Sequence, residues 1–191
     1  MVRRALQRQI EAIAAAAKDS TADVWAMAPM ISTAPEAHDF SAMLEEAGLK
    51  THGVMVETPS AAVTSRDILH EVDFVSIGTN DLTQYTLAAE RGNTSVAALA
   101  DPLDPAVVTL INRVCRGAGP DRLVAVCGEL AADETATDLL VALGVRELSV
   151  APRAVPPIKQ AVRGINVTAN PRLVERCLEA DTAASVRAAL T

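Results

Sequence analysis

A chain of 191 residues, 50% hydrophobic but only 2% aromatic, is long enough for one domain with a sizeable core, and that core must be built from Ala, Val, Leu and Ile. A formal net charge of -7 argues against a surface for nucleic acid or an anionic membrane, and no apolar run approaches the roughly 18 residues of a membrane span. The three cysteines, Cys115, Cys127 and Cys177, are odd in number and not spaced as zinc ligands; with no signal-peptide layout at the N-terminus, they predict a cytoplasmic protein with free thiols.

Leu6, Ile10, Ile13 and Ala17 recur at helical spacing between charges and predict a helix over 3–17. The apolar run VWAMAPMI (24–31) has strand length. Thr33-Ala34-Pro35-Glu36 then reads as a capping box with Pro in the first turn, opening a helix that runs to about Ala47-Gly48. GVMVET (53–58) predicts a second strand, and PSAAVTSRDILHEV (59–72) a helix begun by Pro59. FVSIGT (74–79) is a third strand, LVAVCG (123–128) a fourth and ELSVAP (147–152) a fifth. Helices are expected near 133–143 and through about Val162. Residues 80–104 interrupt the rhythm as a long insertion, which in compact domains is usually functional or mobile. Beyond Gly164, the spacing of Leu173, Val174, Cys177 and Leu178 predicts one or two terminal helices and no second domain.

Short apolar strands without polar alternation indicate burial on both faces, as in a parallel sheet covered by helices. The strand–helix repeat fits a doubly wound sheet or part of a (β/α)8 barrel, and periodicity does not separate the two. In either α/β fold the strand ends share one face, where ligands bind. Glu57 closes the second strand, Asn80 and Asp81 the third, and Cys127 with Glu129 the fourth. Two carboxylates on neighbouring strand ends, with no cluster of His or Cys nearby, suit a hard cation such as Mg2+, which keeps waters and takes phosphate oxygens. Arg91, on the insertion, can offer a planar fork to phosphate or carboxylate. Taken singly, each residue has a plainer role. A strand-end carboxylate is more often a cap or a surface charge, and Cys127 in VAVCGE more often a small buried hydrophobe. Arg91 alone is most often solvated, and His38, His52 and His70 fit surface or packing positions. Composition and spacing stop at a one-rim site suited to a divalent metal.

Longer blocks carry more information. DFVSIGTNDLTQYTLAAERGN closely resembles the signature of the phosphoenolpyruvate-utilising enzymes, and in particular the enzyme I group of the bacterial sugar phosphotransferase system. VMVETPSAA, AVCGELAADETAT and ELSVAPRAVPPIK look like further blocks of that family in the same order, and MAPMI resembles its preceding strand motif. The resemblance runs from the first helix to about Ile165. Pyruvate phosphate dikinases and phosphoenolpyruvate synthases share the GTND-type core but resemble this chain less in QYTLAAERGN and CGELAADETAT. Glu90-Arg91-Gly92 stands where Asp-Arg-Gly is common, a charge-preserving change.

The resemblance implies an α/β fold, a partial (β/α)8 TIM barrel of about five C-terminal β/α units. Residues 1–165 would form the C-terminal part of a phosphoenolpyruvate-binding barrel and 166–191 a helical tail. It implies Mg2+ held by Glu57 and Asp81, substrate contacts from Asn80, Asp81 and Arg91, and Cys127 as the acid that protonates the enolpyruvate carbon once the phosphoryl group has left. Implied partners are phosphoenolpyruvate and pyruvate, a histidine-containing phosphocarrier protein, and a second copy of the chain as a homodimer, with no nucleic acid or membrane. The family's Thr-Ser-His swivelling domain and its RTLDIGGDK-like block do not occur in these residues. The chain is therefore expected to be the C-terminal part of such an enzyme, beginning on the helix before the fourth strand and inactive in phosphoryl transfer by itself. Alternatives are a non-catalytic dimerisation or ligand-binding module and a dikinase- or synthase-type fragment. An unrelated metal-dependent lyase of barrel fold explains none of the blocks.

Overall fold

The structure, a computed structural model, describes residues 2–166 and 168–190. Met1, Val167 and Thr191, which fall in the segments assigned to barrel and tail, lie outside the described residues. The elements run α1 (Val2–Lys18), β1 (Trp25–Ala28), α2 (Ala34–Glu46), β2 (Thr51–Val56), α3 (Pro59–Val63), α4 (Ser65–Glu71), β3 (Phe74–Gly78) and α5 (Thr79–Leu87). They continue with α6 (Pro105–Ala118), β4 (Leu123–Cys127), α7 (Thr137–Leu143), β5 (Glu147–Leu148), α8 (Val155–Gly164), α9 (Leu173–Leu178) and α10 (Ala183–Leu190). The five strands pair in parallel in the order β1-β2-β3-β4-β5. A doubly wound sheet reverses its strand order at a switch point, whereas a barrel adds each strand beside the last. The unbroken order therefore makes this sheet the arc of a (β/α) barrel.

Alternation along each strand gives the arc two different faces. On the outer face the register aligns Val54 with Val75 and Val124, and Val56 with Ile77 and Val126. These side chains are buried in one cluster with Ile68 and Leu69 of α4, Val107, Ile111 and Val114 of α6, and Leu139 and Leu140 of α7. Burial of this branched aliphatic layer is the main driving force for the arc. The tail helices join it: Leu173, Cys177 and Val186 belong to the same cluster. Arg187 of α10 also donates to Asp101 Oδ1 at 3.1 Å, tying the tail to the segment that leads into α6.

Aromatic side chains concentrate on the inner face. Phe74 sits opposite Gly53, and Trp25 packs on its ring with centroids 5.1 Å apart. A Cβ on Gly53 would lie 2.6 Å from the Phe74 carbonyl oxygen and 2.7 Å from its ring. Gly53 is what lets the two neighbouring strands carry this pair.

Local differences from the sequence reading have identifiable causes. The capping box forms as expected, with Thr33 Oγ1 accepting from Glu36 N and Glu36 Oε2 accepting from Thr33 N at 3.0 Å. The helix expected over 59–72 is instead two, α3 and α4, broken at Thr64. There the Thr64 hydroxyl donates to Ser60 O at 3.0 Å, the kind of side-chain bond that competes with the helix ladder. Strands β1 and β5 are shorter than the apolar runs that predicted them. The insertion at 80–104 is not all loop, since its first residues form α5. The remaining connection, 88–104, holds one 3-10 turn at Ala97–Leu99 and is anchored at its ends by buried Ala89 and Leu103.

Gly53→Ala is expected to destabilise the fold by about 1–3 kcal/mol in urea denaturation, the usual cost of overpacking a core. Because the Phe74 backbone oxygen is as close as its ring, trimming the ring in Gly53→Ala/Phe74→Leu should not restore stability; full rescue would mean that the ring alone sets the constraint.

Candidate active site at the strand ends

The C-terminal ends of β2, β3 and β4 place three residues in one row. Val56 is paired with Ile77 and Gly78 with Cys127, so Glu57, Gly78 and Cys127 stand side by side on the inner face. The Glu57 side chain lies across Gly78: a Cβ there would be 2.6 Å from Glu57 Cγ and 2.8 Å from Oε1. Glu57 is only 6% exposed. Its Oε2 accepts the Met30 N–H at 2.8 Å, from a residue held at φ 56. That left-handed conformation is uncommon for a side chain with a Cβ and is the sort of strain that collects at functional sites.

Asp81, in the first turn of α5, accepts from Arg91 Nη2 at Oδ1, 2.8 Å away. Arg91 is held a second time, by its backbone N–H donating to Gln84 Oε1 at 3.1 Å. The pair is partly solvated, with side chains 51% and 28% exposed for Arg91 and Asp81. An ion pair that wet is weak enough to open for a ligand. Asn80 Oδ1 accepts the Glu129 N–H at 3.1 Å, linking the start of α5 to the residues after β4.

Cys127 is half-buried, and its Sγ–H points to Ile77 O at 3.6 Å. Burial pushes the thiol upward, and the negative charges of Glu57 and Asp81 push it further in the same direction. The Ser76 hydroxyl works against them by favouring the thiolate. Ser76 lies on the same face of β3, buried and with no partner of full hydrogen-bond geometry.

Glu57 and Asp81 are the residues that could hold a hard cation. Each keeps one carboxylate oxygen free of the hydrogen bonds just described, and an all-oxygen pair suits Mg2+, which retains water and shares its sphere with substrate oxygens. Among the described residues no group of three or more His, Cys, Asp and Glu is placed to hold a metal, so this is an open, two-carboxylate arrangement. The histidines pair elsewhere: His38 with Glu71 at 2.8 Å, His52 near Asp73 and Glu45. A cavity of about 1120 Å³, lined by Leu6, Ile10, Trp25, Met27 and Phe40 among others, lies between α1, β1 and α2 and contains none of the candidate residues. Its walls are mainly apolar, with Gln9, Glu36 and Asp39 among them, and the strand-end row gathers the candidate residues instead.

Sequence reading brought Glu57, Asn80, Asp81 and Cys127 to one rim, and the structure gathers them there with Arg91. It did not find Met30, Gly78 or Thr79. Gly78 was visible as the glycine of SIGTND, but its purpose shows only when Glu57 is seen lying on it.

Two measurements bear on this geometry. Met30→Val is expected to cost about 1–2 kcal/mol of stability, because a branched side chain resists the left-handed region, whereas Met30→Gly should fall within about 1 kcal/mol of the parent. Equal losses for both would indicate that backbone conformation at Met30 is not what matters. Since burial and two carboxylates favour the protonated thiol, Cys127 holds its proton at neutral pH. Its alkylation by iodoacetamide, followed by peptide mass spectrometry, should still be accelerating at the alkaline pH where an exposed cysteine has levelled off.

Comparison with known proteins agrees with this geometry. The family model described as PEP-utilising enzyme, PEP-binding domain, matches residues 2–167. The multiphosphoryl transfer protein of Xanthomonas campestris pv. campestris is 42% identical over 190 residues, covering 96% of this chain and 23% of the relative. The phosphoenolpyruvate-protein phosphotransferases of Haemophilus influenzae and Haloferax volcanii are each 42% identical, over 173 and 189 residues. They cover 84% and 93% of this chain, which spans 30% and 34% of their lengths. The chain belongs to the family of PEP-utilising enzymes, as their PEP-binding domain.

Proposed function

We propose that the strand-end row binds phosphoenolpyruvate and Mg2+ as the substrate-binding part of a phosphoenolpyruvate-protein phosphotransferase. In that enzyme the phosphoryl group would pass to a histidine outside these residues, and then to a histidine-containing carrier protein for sugar uptake. The observation that carries the reading is the placement of Glu57, Asp81, Arg91 and Cys127 around one rim, in a chain whose family is defined by this substrate.

Phosphoryl transfer asks a protein for positioning and for positive charge on the phosphate oxygens. Mg2+ between Glu57 and Asp81 would supply part of that charge. Arg91 supplies the rest as a planar fork: it is held by Gln84 at its backbone, so its guanidinium can leave Asp81 for the substrate without the segment moving. Asn80 uses its oxygen on Glu129 and keeps its amide N–H donors for the ligand.

When the phosphorus–oxygen bond breaks, its electron pair stays on enolpyruvate as an enolate. Cys127 then donates its proton to the methylene carbon: the S–H bond breaks, a C–H bond forms, and pyruvate and a thiolate remain. Burial beside two carboxylates keeps the proton on sulfur until the enolate appears. Such an acid is matched to a strongly basic carbon and reluctant toward water. Among the described residues no helix is long and apolar enough to cross a membrane.

The test is Mn2+ binding, followed by water-proton relaxation in the presence and absence of phosphoenolpyruvate. Glu57→Gln keeps an acceptor for Met30 while removing the charge, and it should weaken Mn2+ at least tenfold, as should Asp81→Asn. Unchanged affinity in both variants would sink the proposal.

A further inference from the structure

Two hydrogen bonds that involve neither candidate metal ligand cross from the start of α5 to the end of β4. The Thr79 hydroxyl donates to the carbonyl oxygen of Cys127 at 2.8 Å, and Asn80 Oδ1 accepts from the Glu129 backbone. Between them lies Gly128 at φ 92, where a Cβ would be 2.5 Å from Thr79 Oγ1 and 2.9 Å from Asn80 Oδ1. The segment Cys127-Gly128-Glu129 is thus gripped on both sides and admits only glycine at its centre.

Thr79 is fully buried, where a hydroxyl costs stability unless it is bonded. It has no local duty, because the N-cap of α5 is Gly78 and makes no side-chain cap. Its side-chain hydrogen bond reaches a residue 48 positions away. The backbone on the other side of Cys127 is fixed as well, by the pairing of Gly78 with Cys127 in the sheet. With the peptide planes before and after its Cα both held, the Cα–Cβ direction of Cys127 has little freedom. Only the thiol rotamer remains, and it is directed at Ile77 O.

We propose that Thr79 is a positioning residue: through the Cys127 carbonyl, its hydroxyl fixes the direction in which the thiol points. The catalytic consequence rests on the reading of Cys127 as the carbon acid; the clamp itself does not. A thiol displaced by about 1 Å from a reacting carbon loses on the order of a hundredfold in rate, so a hydroxyl that touches no substrate can still govern proton transfer.

The experiment uses the 191-residue chain and the pair Thr79→Val, which keeps the shape without the hydroxyl, and Thr79→Ser, which keeps the hydroxyl. Iodoacetamide alkylation is read at each cysteine by peptide mass spectrometry, with buried Cys115 and Cys177 reporting any general loosening. Thr79→Val should alkylate Cys127 about three- to tenfold faster with Cys115 and Cys177 unchanged, a freed thiol being the more accessible one, and Thr79→Ser should match the parent. In the parent chain the Glu129 amide should also exchange with deuterium slowly, as a held N–H does. An unaltered Cys127 rate in Thr79→Val, or fast exchange at Glu129, would overturn the clamp. If Thr79→Val loosens all three cysteines, Thr79→Ala and Thr79→Ser are compared instead, and a Cys127 rate that is the same in both, relative to Cys115 and Cys177, overturns the clamp.

A second assay separates the clamp from the function it serves, using Mg2+-dependent deuterium uptake into the methyl group of pyruvate, the reverse of the protonation step. If Cys127→Ala exchanges as fast as the parent, the acid role fails while the alkylation result still judges the clamp. If Cys127→Ala abolishes exchange, Thr79→Val should lower the maximal rate about ten- to a hundredfold with the half-saturating pyruvate concentration little changed, and loss of pyruvate affinity alone would count against positioning.

Discussion

A carboxylate buried at the end of a strand is expensive unless something bonds it, and the rim is arranged around meeting that cost for Glu57. One oxygen is taken by the Met30 N–H, and delivering that N–H puts Met30 in a conformation side chains seldom adopt. The rest of the side chain needs a bare surface to lie on, which is why β3 ends in a residue without a Cβ. β3 in turn sets Cys127 directly beyond that glycine. The ends of four elements are therefore fitted to one carboxyl group, and the site inherits its rigidity from them.

The same carboxylate connects the two halves of the chemistry. Glu57 and Asp81 make the rim negative, and their charge helps hold the proton on Cys127. Arg91 moderates this locally by pairing with Asp81, but it does so half in water, where an ion pair contributes little and exchanges readily. In the function proposed, an anionic substrate entering the rim would meet a guanidinium whose present partner is easily surrendered, and a thiol whose proton is well kept. The binding and the proton donation proposed would draw on one electrostatic arrangement.

How much of this the sequence discloses depends on the range of the interaction. Run length and the polar residue after each run were enough to bring Glu57, Asn80, Asp81 and Cys127 to a common rim, because strand ends in a parallel fold share a face. The Thr33–Glu36 box was legible because capping is local. Strand order was not legible, and it alone distinguishes a barrel arc from a doubly wound sheet. Thr79 read as the end of the third strand, and Asn80 and Asp81 as the start of the insertion, because they are weak helix formers, yet the three open α5, where an acidic residue in the first turn suits the helix dipole. Helix α6 was not picked out, although Asp104 and Pro105 give it an N-cap and a first-turn Pro; the length of the insertion drew attention from them. The Thr79–Cys127 bond joins residues 48 positions apart and leaves no local signature.

The position of the row within the sheet explains why the site can be orderly while one edge is bare. On β1 the inner-face residues Trp25 and Met27 are 49% and 44% exposed, beside the apolar cavity bounded by α1 and α2. β5 contributes only Glu147 and Leu148 to the sheet. The functional row avoids both. Glu57, Gly78 and Cys127 sit on or just beyond β2, β3 and β4, the three strands hydrogen-bonded on either side. Their outer faces are pressed against α4, α6 and α7 through Val54, Val75, Val124 and their neighbours. Strand ends fixed from two lateral directions and from below cannot drift in register without moving the aliphatic layer, since a one-residue slip would turn that layer to the inner face. The geometry of Cys127 and its neighbouring carboxylate is thus held by the part of the arc that depends least on whatever covers its edges.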